Sequence, residues 1–317
     1  MMSTETEKIK VLAVVGPTAG GKSALALELA KRLDGEIISC DSMQIYRRMD
    51  IGTAKPTKEE QSRVRHHLID LLEPDISFSC AEYVELASKA IEDCAGRGRL
   101  PIICGGTGLY LDALLRKNDF EPDTSDENIR RELEEIYEKE GADALWNMLY
   151  SIDPESAEAT HKNNVKRVIR AIEIYRTCGV TKTELDKRSR EGGDRYNACV
   201  IGLRYEDRNI LYDRINRRVD IMLRDGLAEE TERLMAEGVF EKNATAAQAI
   251  GYKEIFGYLR GEESISAAAD RLKIATRRYA KRQMTWFGAK EYVRWIDADR
   301  KTFEDIVNNA LELFKNS

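Results

Sequence analysis

The chain has 317 residues, a hydrophobic share of 42%, a charged share of 33% and a formal net charge of −6. That composition describes a globular protein, and the length exceeds the size at which single cores usually stop growing, so one large domain with an insertion, or two domains, is expected. No run approaches the ~18 apolar residues that cross a bilayer, and residues 1–10 carry no signal-peptide core; the expectation is a cytoplasmic protein without a membrane partner.

In chain order, Val11-Leu12-Ala13-Val14-Val15 reads as a buried strand and the run from Ala24 to Arg32 as a helix. Between them, Gly16-Pro17-Thr18-Ala19-Gly20-Gly21-Lys22-Ser23 fits G-x-x-x-x-G-K-[ST], the phosphate-binding loop. Its glycines let backbone N–H groups face an anion, and the new helix directs the positive end of its dipole at the same point. Lys22 reaches phosphate oxygens and the Ser23 hydroxyl is placed to ligate Mg²⁺. Glu36-Ile37-Ile38-Ser39-Cys40 is a second strand ending at Asp41. Strand, helix, strand implies a parallel α/β sheet of the P-loop NTPase-like kind, with ligands at the carboxyl ends of its strands.

The stretch from Asp41 to Pro56 reads as a structured, function-carrying loop. The segment from His66 to Leu72 is a candidate strand whose His pair is read as structural. A helix is expected over 78–96, followed by the strand Leu100-Pro101-Ile102-Ile103-Cys104, the turn Gly105-Gly106-Thr107-Gly108 and a helix from Leu109. A second glycine turn thus enters a second helix at a strand's carboxyl end, and Thr107 is its only side chain able to hydrogen-bond a ligand. Cys40, Cys80, Cys94, Cys104, Cys178 and Cys199 form no C-x-x-C pair, so neither a disulfide framework nor a zinc site is expected.

Residues 119–195 read as a helical insertion framed by Pro122, Pro154 and Gly192-Gly193. The α/β core is then 1–118 with 196–317, resuming at the strand Ala198-Cys199-Val200-Ile201-Gly202-Leu203 and closing with the strand Val293-Arg294-Trp295-Ile296-Asp297 and a helix. Charge is unevenly spread. Residues 119–141 carry ten acids and three bases, 162–190 nine bases and three acids, and 271–282 six bases and no acid. Basic faces on an acidic protein suit local nucleic-acid binding, or equally a solvated helix face.

The strand before Gly105 ends in glycine where an NTPase places a second Mg²⁺-supporting carboxylate, and no Asn-Lys-x-Asp guanine reader is present. Asp41 lies in the expected cleft, where it can assist a metal or accept a proton. Chemistry alone leaves a kinase and other diphosphate transfers undecided.

The phosphate loop, Asp-Ser-Met-Gln-Ile-Tyr-Arg-Arg-Met-Asp-Ile-Gly-Thr-Ala-Lys-Pro from Asp41, Gly-Gly-Thr-Gly-Leu-Tyr from Gly105, Ala-Ile-Gly-Tyr from Ala249 and Ala-Lys-Arg-Gln-Met-Thr-Trp-Phe from Ala280 together resemble the tRNA dimethylallyltransferase (tRNA isopentenyltransferase) family, bacterial type. The usual loop has Ser where this chain has Gly20. The resemblance implies that Gly16 to Ser23 hold the pyrophosphate of dimethylallyl diphosphate, with Mg²⁺ at Ser23 and Arg218 as a further cation on the leaving group. The allyl group would pass to N6 of adenine 37 of tRNA, flipped from its stack, with Asp41 as proton acceptor and Thr107 beside the reacting centre. It implies tRNA contacts at Asp41, Ser42, Met43, Gln44 and Thr107; at Lys166, Arg167, Val168, Ile169 and Arg170; at Gln248, Ala249, Ile250, Gly251 and Tyr252; and at Lys281, Arg282, Gln283, Met284, Thr285, Trp286 and Phe287. A monomer is expected. An adenylate isopentenyltransferase, which shares the catalytic motifs, is the nearest rival; the helical insertion and the basic C-terminal helix favour tRNA.

Overall fold

The computed structural model describes residues 8–116, 126–191 and 193–317. It divides into two compact units, Met1–Leu115 with Tyr196–Ser317, and Arg116–Arg195. The expected boundary near Asn118, with Asp119 and Pro122, lies outside the described residues, as does Gly192.

In the first unit, β1 (Lys10–Val15) leads to α1 (Lys22–Arg32), β2 (Gly35–Cys40), α2 (Lys58–Arg63), β3 (His66–His67), α3 (Cys80–Gly96), β4 (Leu100–Gly105) and α4 (Gly108–Leu115). The second unit contains α5 (Glu127–Glu140), α6 (Ala142–Ile152), α7 (Pro154–Glu158), α8 (Val165–Cys178) and α9 (Lys182–Glu191). The first unit resumes with β5 (Asn197–Arg204), α10 (Arg208–Arg224), α11 (Leu227–Ala236), and the short helices α12 (Val239–Lys242), α13 (Ala244–Ala247) and α14 (Phe256–Leu259). It closes with α15 (Ile265–Gly288), β6 (Val293–Asp297) and α16 (Phe303–Lys315).

The sheet is parallel and six-stranded, in the order β3-β2-β4-β1-β5-β6. β1 is central, with Leu12 opposite Ile102 of β4 and Cys199 of β5. Its sequence is apolar without alternation because both faces are covered. Val11, Ala13 and Val15 face a cluster with Tyr83, Ala87, Ile91, Leu111 and Leu114 of α3 and α4. Leu12 and Val14 face Leu25 and Leu29 of α1 and Val307 and Ala310 of α16. Crossovers leave β1 toward opposite edges, so the carboxyl ends of β1, β2 and β4 open on one crevice.

Two expectations change. The strand expected from His66 to Leu72 stops at His67, because Leu68 (φ 61°) and Asp70 (φ 57°) are left-handed and cannot continue an extended ladder. The helix expected from Phe78 begins at Cys80, where Ser79 and Glu82 form a reciprocal capping box. His67 is structural, as expected: it meets the Glu36 carboxylate at 2.7 Å, and Cys94 Sγ lies 3.4 Å from the same oxygen. These three residues have metal-ligand chemistry, but Arg97 occupies both Glu36 oxygens and closes the cluster as an ion pair.

The loop after β2 is packed into the fold. Tyr46 bridges to Leu72, and Ile45, Tyr46 and Met49 are buried with Val219, Leu227, Tyr252 and Leu272. Its far end is held by Glu230 of α11. That buried carboxylate accepts from the N–H groups of Asp50 (3.1 Å), Ile51 (3.0 Å) and Gly52 (3.0 Å) and from the Tyr252 hydroxyl (2.7 Å). Four donors on one carboxylate satisfy the charge that burial would otherwise penalise.

The second unit packs α5, α6 and α8 around Leu133, Leu145, Leu149, Val168 and Ile172. Glu173, fully buried, is paired with Arg130 (2.8 Å) and Arg170 (2.7 Å) and accepts from Asp126 N–H.

Candidate active site

The glycine loop closes on itself. Gly20 N–H donates to the Pro17 carbonyl (3.0 Å), which also receives the Lys22 ammonium (2.8 Å). Gly21 opens α1 at φ 93°, a conformation that disfavours a side chain. The outer carbonyls are also met: Arg214 Nε donates to Ala19 O (2.8 Å) and the Tyr205 hydroxyl to Gly20 O (3.1 Å). The first-turn N–H groups of α1 have no carbonyl within their own helix and supply the positive end of its dipole. The loop is therefore built for an anion.

Asp41 leaves β2 beside it. Its Oδ1 accepts from Met43 N–H (2.9 Å), while among the described residues the other oxygen makes no hydrogen bond. Thr107 ties the neighbouring strand ends together: its N–H donates to Cys40 O (3.2 Å) and its Oγ1 accepts from Ser42 N–H (3.2 Å). Arg218 comes from α10. Among the described residues it makes no ion pair; burial lowers its pKa and the Asp41 charge opposes that shift. Burial likewise lowers the Lys22 ammonium to about 8, against the pull of Asp41 and with the push of Arg218. Two cations and a carboxylate thus share a confined space, with positive charge in excess.

Two adjoining clefts meet there. Lys22, Ser23, Asp41, Cys104 and Arg218 line one, with Ile37 and Ile69 as apolar wall. The other, of about 350 Å³, is lined by Asp41, Ser42, Met43, Arg218 and the stretch from Gln248 to Gly251. Asp41, Thr18, Thr53, Arg218 and Tyr279 belong to both.

The structure thus brings the glycine loop, Asp41, Arg218 and the segment from Gln248 into one site, with Thr107 bonded to its edge. Others of the expected tRNA contacts are internal. Val168 and Ile169 are in the core of the helical unit, so of these five expected contacts only Lys166, Arg167 and part of Arg170 face solvent. Tyr252 is fully buried with its hydroxyl on Glu230, and Phe287 is in the sheet core; neither ring is open to a base. Gln283 is buried and hydrogen-bonded internally, whereas Lys281, Arg282 and Thr285 are exposed. Sequence reasoning missed Tyr279, Arg214 and Glu230. Tyr279 had a signal, since it stands four residues before Gln283 on one helical stripe; Glu230 had none.

A parallel sheet with a phosphate loop after its first strand, a strand-end Asp in the same crevice and a Cys-Gly-Gly-Thr second turn defines a protein of P-loop NTPase-like fold. The family model "IPP transferase" matches residues 44–290. The chain is 50% identical over 300 residues to the tRNA dimethylallyltransferase of Acetivibrio thermocellus, covering 94% of this chain and 95% of that protein. It is 48% identical over 302 residues to that of Halalkalibacterium halodurans, with 94% and 95% covered. Among solved structures it is similar to the full-length tRNA isopentenylpyrophosphate transferase from Bacillus halodurans, with TM-score 0.71, 45% identity and 98% of each chain covered. A eukaryotic dimethylallyltransferase acting on tRNA aligns with TM-score 0.81 at 28% identity, covering 97% of this chain and 80% of that one. The chain belongs to the IPP transferase family, the tRNA dimethylallyltransferases.

Proposed function

We propose that this chain transfers the dimethylallyl group from dimethylallyl diphosphate to N6 of adenine 37 in the tRNA anticodon loop and releases diphosphate. The observation that carries this reading is the pair of clefts meeting at Asp41 and Arg218, one running to the glycine loop and the other away from it. The diphosphate sits on the loop, with Lys22 and Arg218 on its oxygens. Ser23, whose hydroxyl is exposed at the loop, would hold Mg²⁺; a site with a hydroxyl, substrate phosphates and one nearby carboxylate suits a hard cation that keeps several waters. Bound there, the ion offsets diphosphate charge. The adenine enters from the second cleft, and Asp41 accepts the proton that its amine loses as the C–N bond forms and the C–O bond to diphosphate breaks. No helix among the described residues is long and apolar enough to cross a membrane. The chain's tRNA-modifying relatives favour the cytoplasm as the place of action, and a monomer is the proposed form. Nucleoside analysis of unmodified tRNA after incubation with the protein, dimethylallyl diphosphate and Mg²⁺ tests this; the expected product is N6-dimethylallyladenosine, and its absence, or prenylation of AMP alone, overturns it.

Lys22 gives the reaction a pH dependence. Its folded-state pKa is depressed to about 8, so the free enzyme loses this cation as pH rises through that value. Bound diphosphate favours the protonated form and moves the transition upward. Donor kcat/KM should therefore fall above about pH 8 while kcat holds to higher pH, because the two parameters report the free and the loaded enzyme. Steady-state profiles across that range check it.

Lys166 and Arg167 are exposed on α8. Replacing both by Ala should weaken tRNA binding and reduce the slope of log K against log salt by roughly one to two, since each phosphate contact contributes about 0.7–0.9. Filter binding over a salt series reads this directly; an unchanged slope returns these residues to ordinary solvated surface.

A further inference from the structure

α15 exposes Arg271, Arg278, Lys281 and Arg282, and its inner stripe does something else. Tyr279, Gln283 and Trp286 are spaced so that they share one helix face. Each meets a glycine loop. Tyr279 stands beside the Thr107 side chain and lines one cleft with Gly105 and Gly106. Trp286 lies so close over Gly108 that a Cβ there would collide with the indole. Gln283, only 5% exposed, makes the most specific contact. Its Oε1 accepts from Thr18 N–H of the phosphate loop (2.8 Å), and its Nε2 donates to Gly106 O of the second glycine turn (3.0 Å). A Cβ on Gly106 would strike this amide, so the backbone approaches as closely as glycine allows.

We infer that Gln283 is a positioning residue for the diphosphate site, its single amide fixing the spacing between the two glycine loops. Only an amide of this length meets the geometry: one end must accept and the other donate, and each loop sits at hydrogen-bond distance from it. Thr18 lines both clefts, so the loop position that Gln283 sets is the position on which donor and acceptor are aligned. Gln283 thus acts through the phosphate loop and not on tRNA, which its burial keeps out of reach, although its neighbours Lys281 and Arg282 are exposed. This rests on the proposed function for the identity of the donor, while the anion-binding part stands without it.

The test compares wild type with Gln283→Leu and Gln283→Glu by calorimetric titration with inorganic diphosphate and Mg²⁺, by tRNA filter binding and by thermal melting. Gln283→Leu should weaken diphosphate binding about tenfold, the worth of one buried hydrogen bond. Its tRNA affinity should stay within a factor of about two. Gln283→Glu keeps the size and the acceptor for Thr18 N–H but sets a charge against Gly106 O and the diphosphate, so it should bind diphosphate more weakly than Gln283→Leu. Diphosphate affinity equal to wild type in both variants, or a loss confined to tRNA, overturns the inference. If Gln283→Leu fails to fold, Gln283→Glu carries the decision. Wild type that binds diphosphate yet prenylates no tRNA would sink the proposed function and leave this inference standing.

Discussion

Asp41→Ala is expected to bind dimethylallyl diphosphate as wild type does and to lose turnover by about 10²–10⁴-fold, the usual worth of a general base. The adenine amine is a weak nucleophile because its lone pair is delocalised into the ring. It reacts well only if its proton has somewhere to go as the new bond forms. Asp41 has a carboxylate oxygen that makes no hydrogen bond among the described residues and faces both clefts, while the Met43 N–H holds the other oxygen in place. The variant leaves the phosphate loop untouched, so the loss should fall on kcat. Single-turnover prenyl transfer at saturating donor and tRNA, with donor binding measured alongside, separates the two. Turnover within a few-fold of wild type would remove Asp41 from this role.

Arg218→Ala should lower kcat by about 10²–10³-fold, comparable to removing one preorganised donor from a site of developing charge. The physical reason is that it makes no ion pair among the described residues. A guanidinium tied up by a direct carboxylate partner has little to offer a leaving group; Arg218 is held in a confined space where burial lowers its pKa, although the Asp41 charge opposes that shift. Diphosphate gains negative charge as the C–O bond breaks, so the attraction grows between ground state and transition state, and kcat should fall further than donor affinity. Arg218→Lys should restore part of the rate, because it returns the charge without the planar fork. A variant whose loss is confined to donor KM would make Arg218 a binding residue only.

How much of this was legible in the sequence depended on chain distance. The phosphate loop is eight contiguous residues between a strand and a helix, so its chemistry is local, and Asp41 follows one helix and one strand later. The apolar runs of β1, β4 and β5, with helices between strands, announced a parallel sheet. What failed was either conformational or remote. Leu68 and Ile69 continue an apolar pattern, yet the left-handed φ angles of Leu68 and Asp70 end the strand, and no pattern of side chains displays that. Val168, Ile169, Tyr252 and Phe287 sit among basic or glycine-rich neighbours that imply a nucleic-acid surface, but the helical period turns Val168, Ile169 and Phe287 inward, and the turn that carries Tyr252 packs its ring into the core. Arg218 was reached only through resemblance to the family, since nothing local joins α10 to the loop. Gln283 lies 265 residues from Thr18, and no motif spans that interval.

The Glu230 carboxylate has a consequence for how this protein can change. Surface loops ordinarily absorb added or deleted residues with little harm. The one after β2 cannot, because the successive N–H groups of Asp50, Ile51 and Gly52 converge on a single buried side chain whose fourth bond is to Tyr252. One extra residue before Asp50 would put a different set of amides over Glu230 and drag Thr53, which lines both clefts, away from Asp41. The loop's length is therefore part of its function.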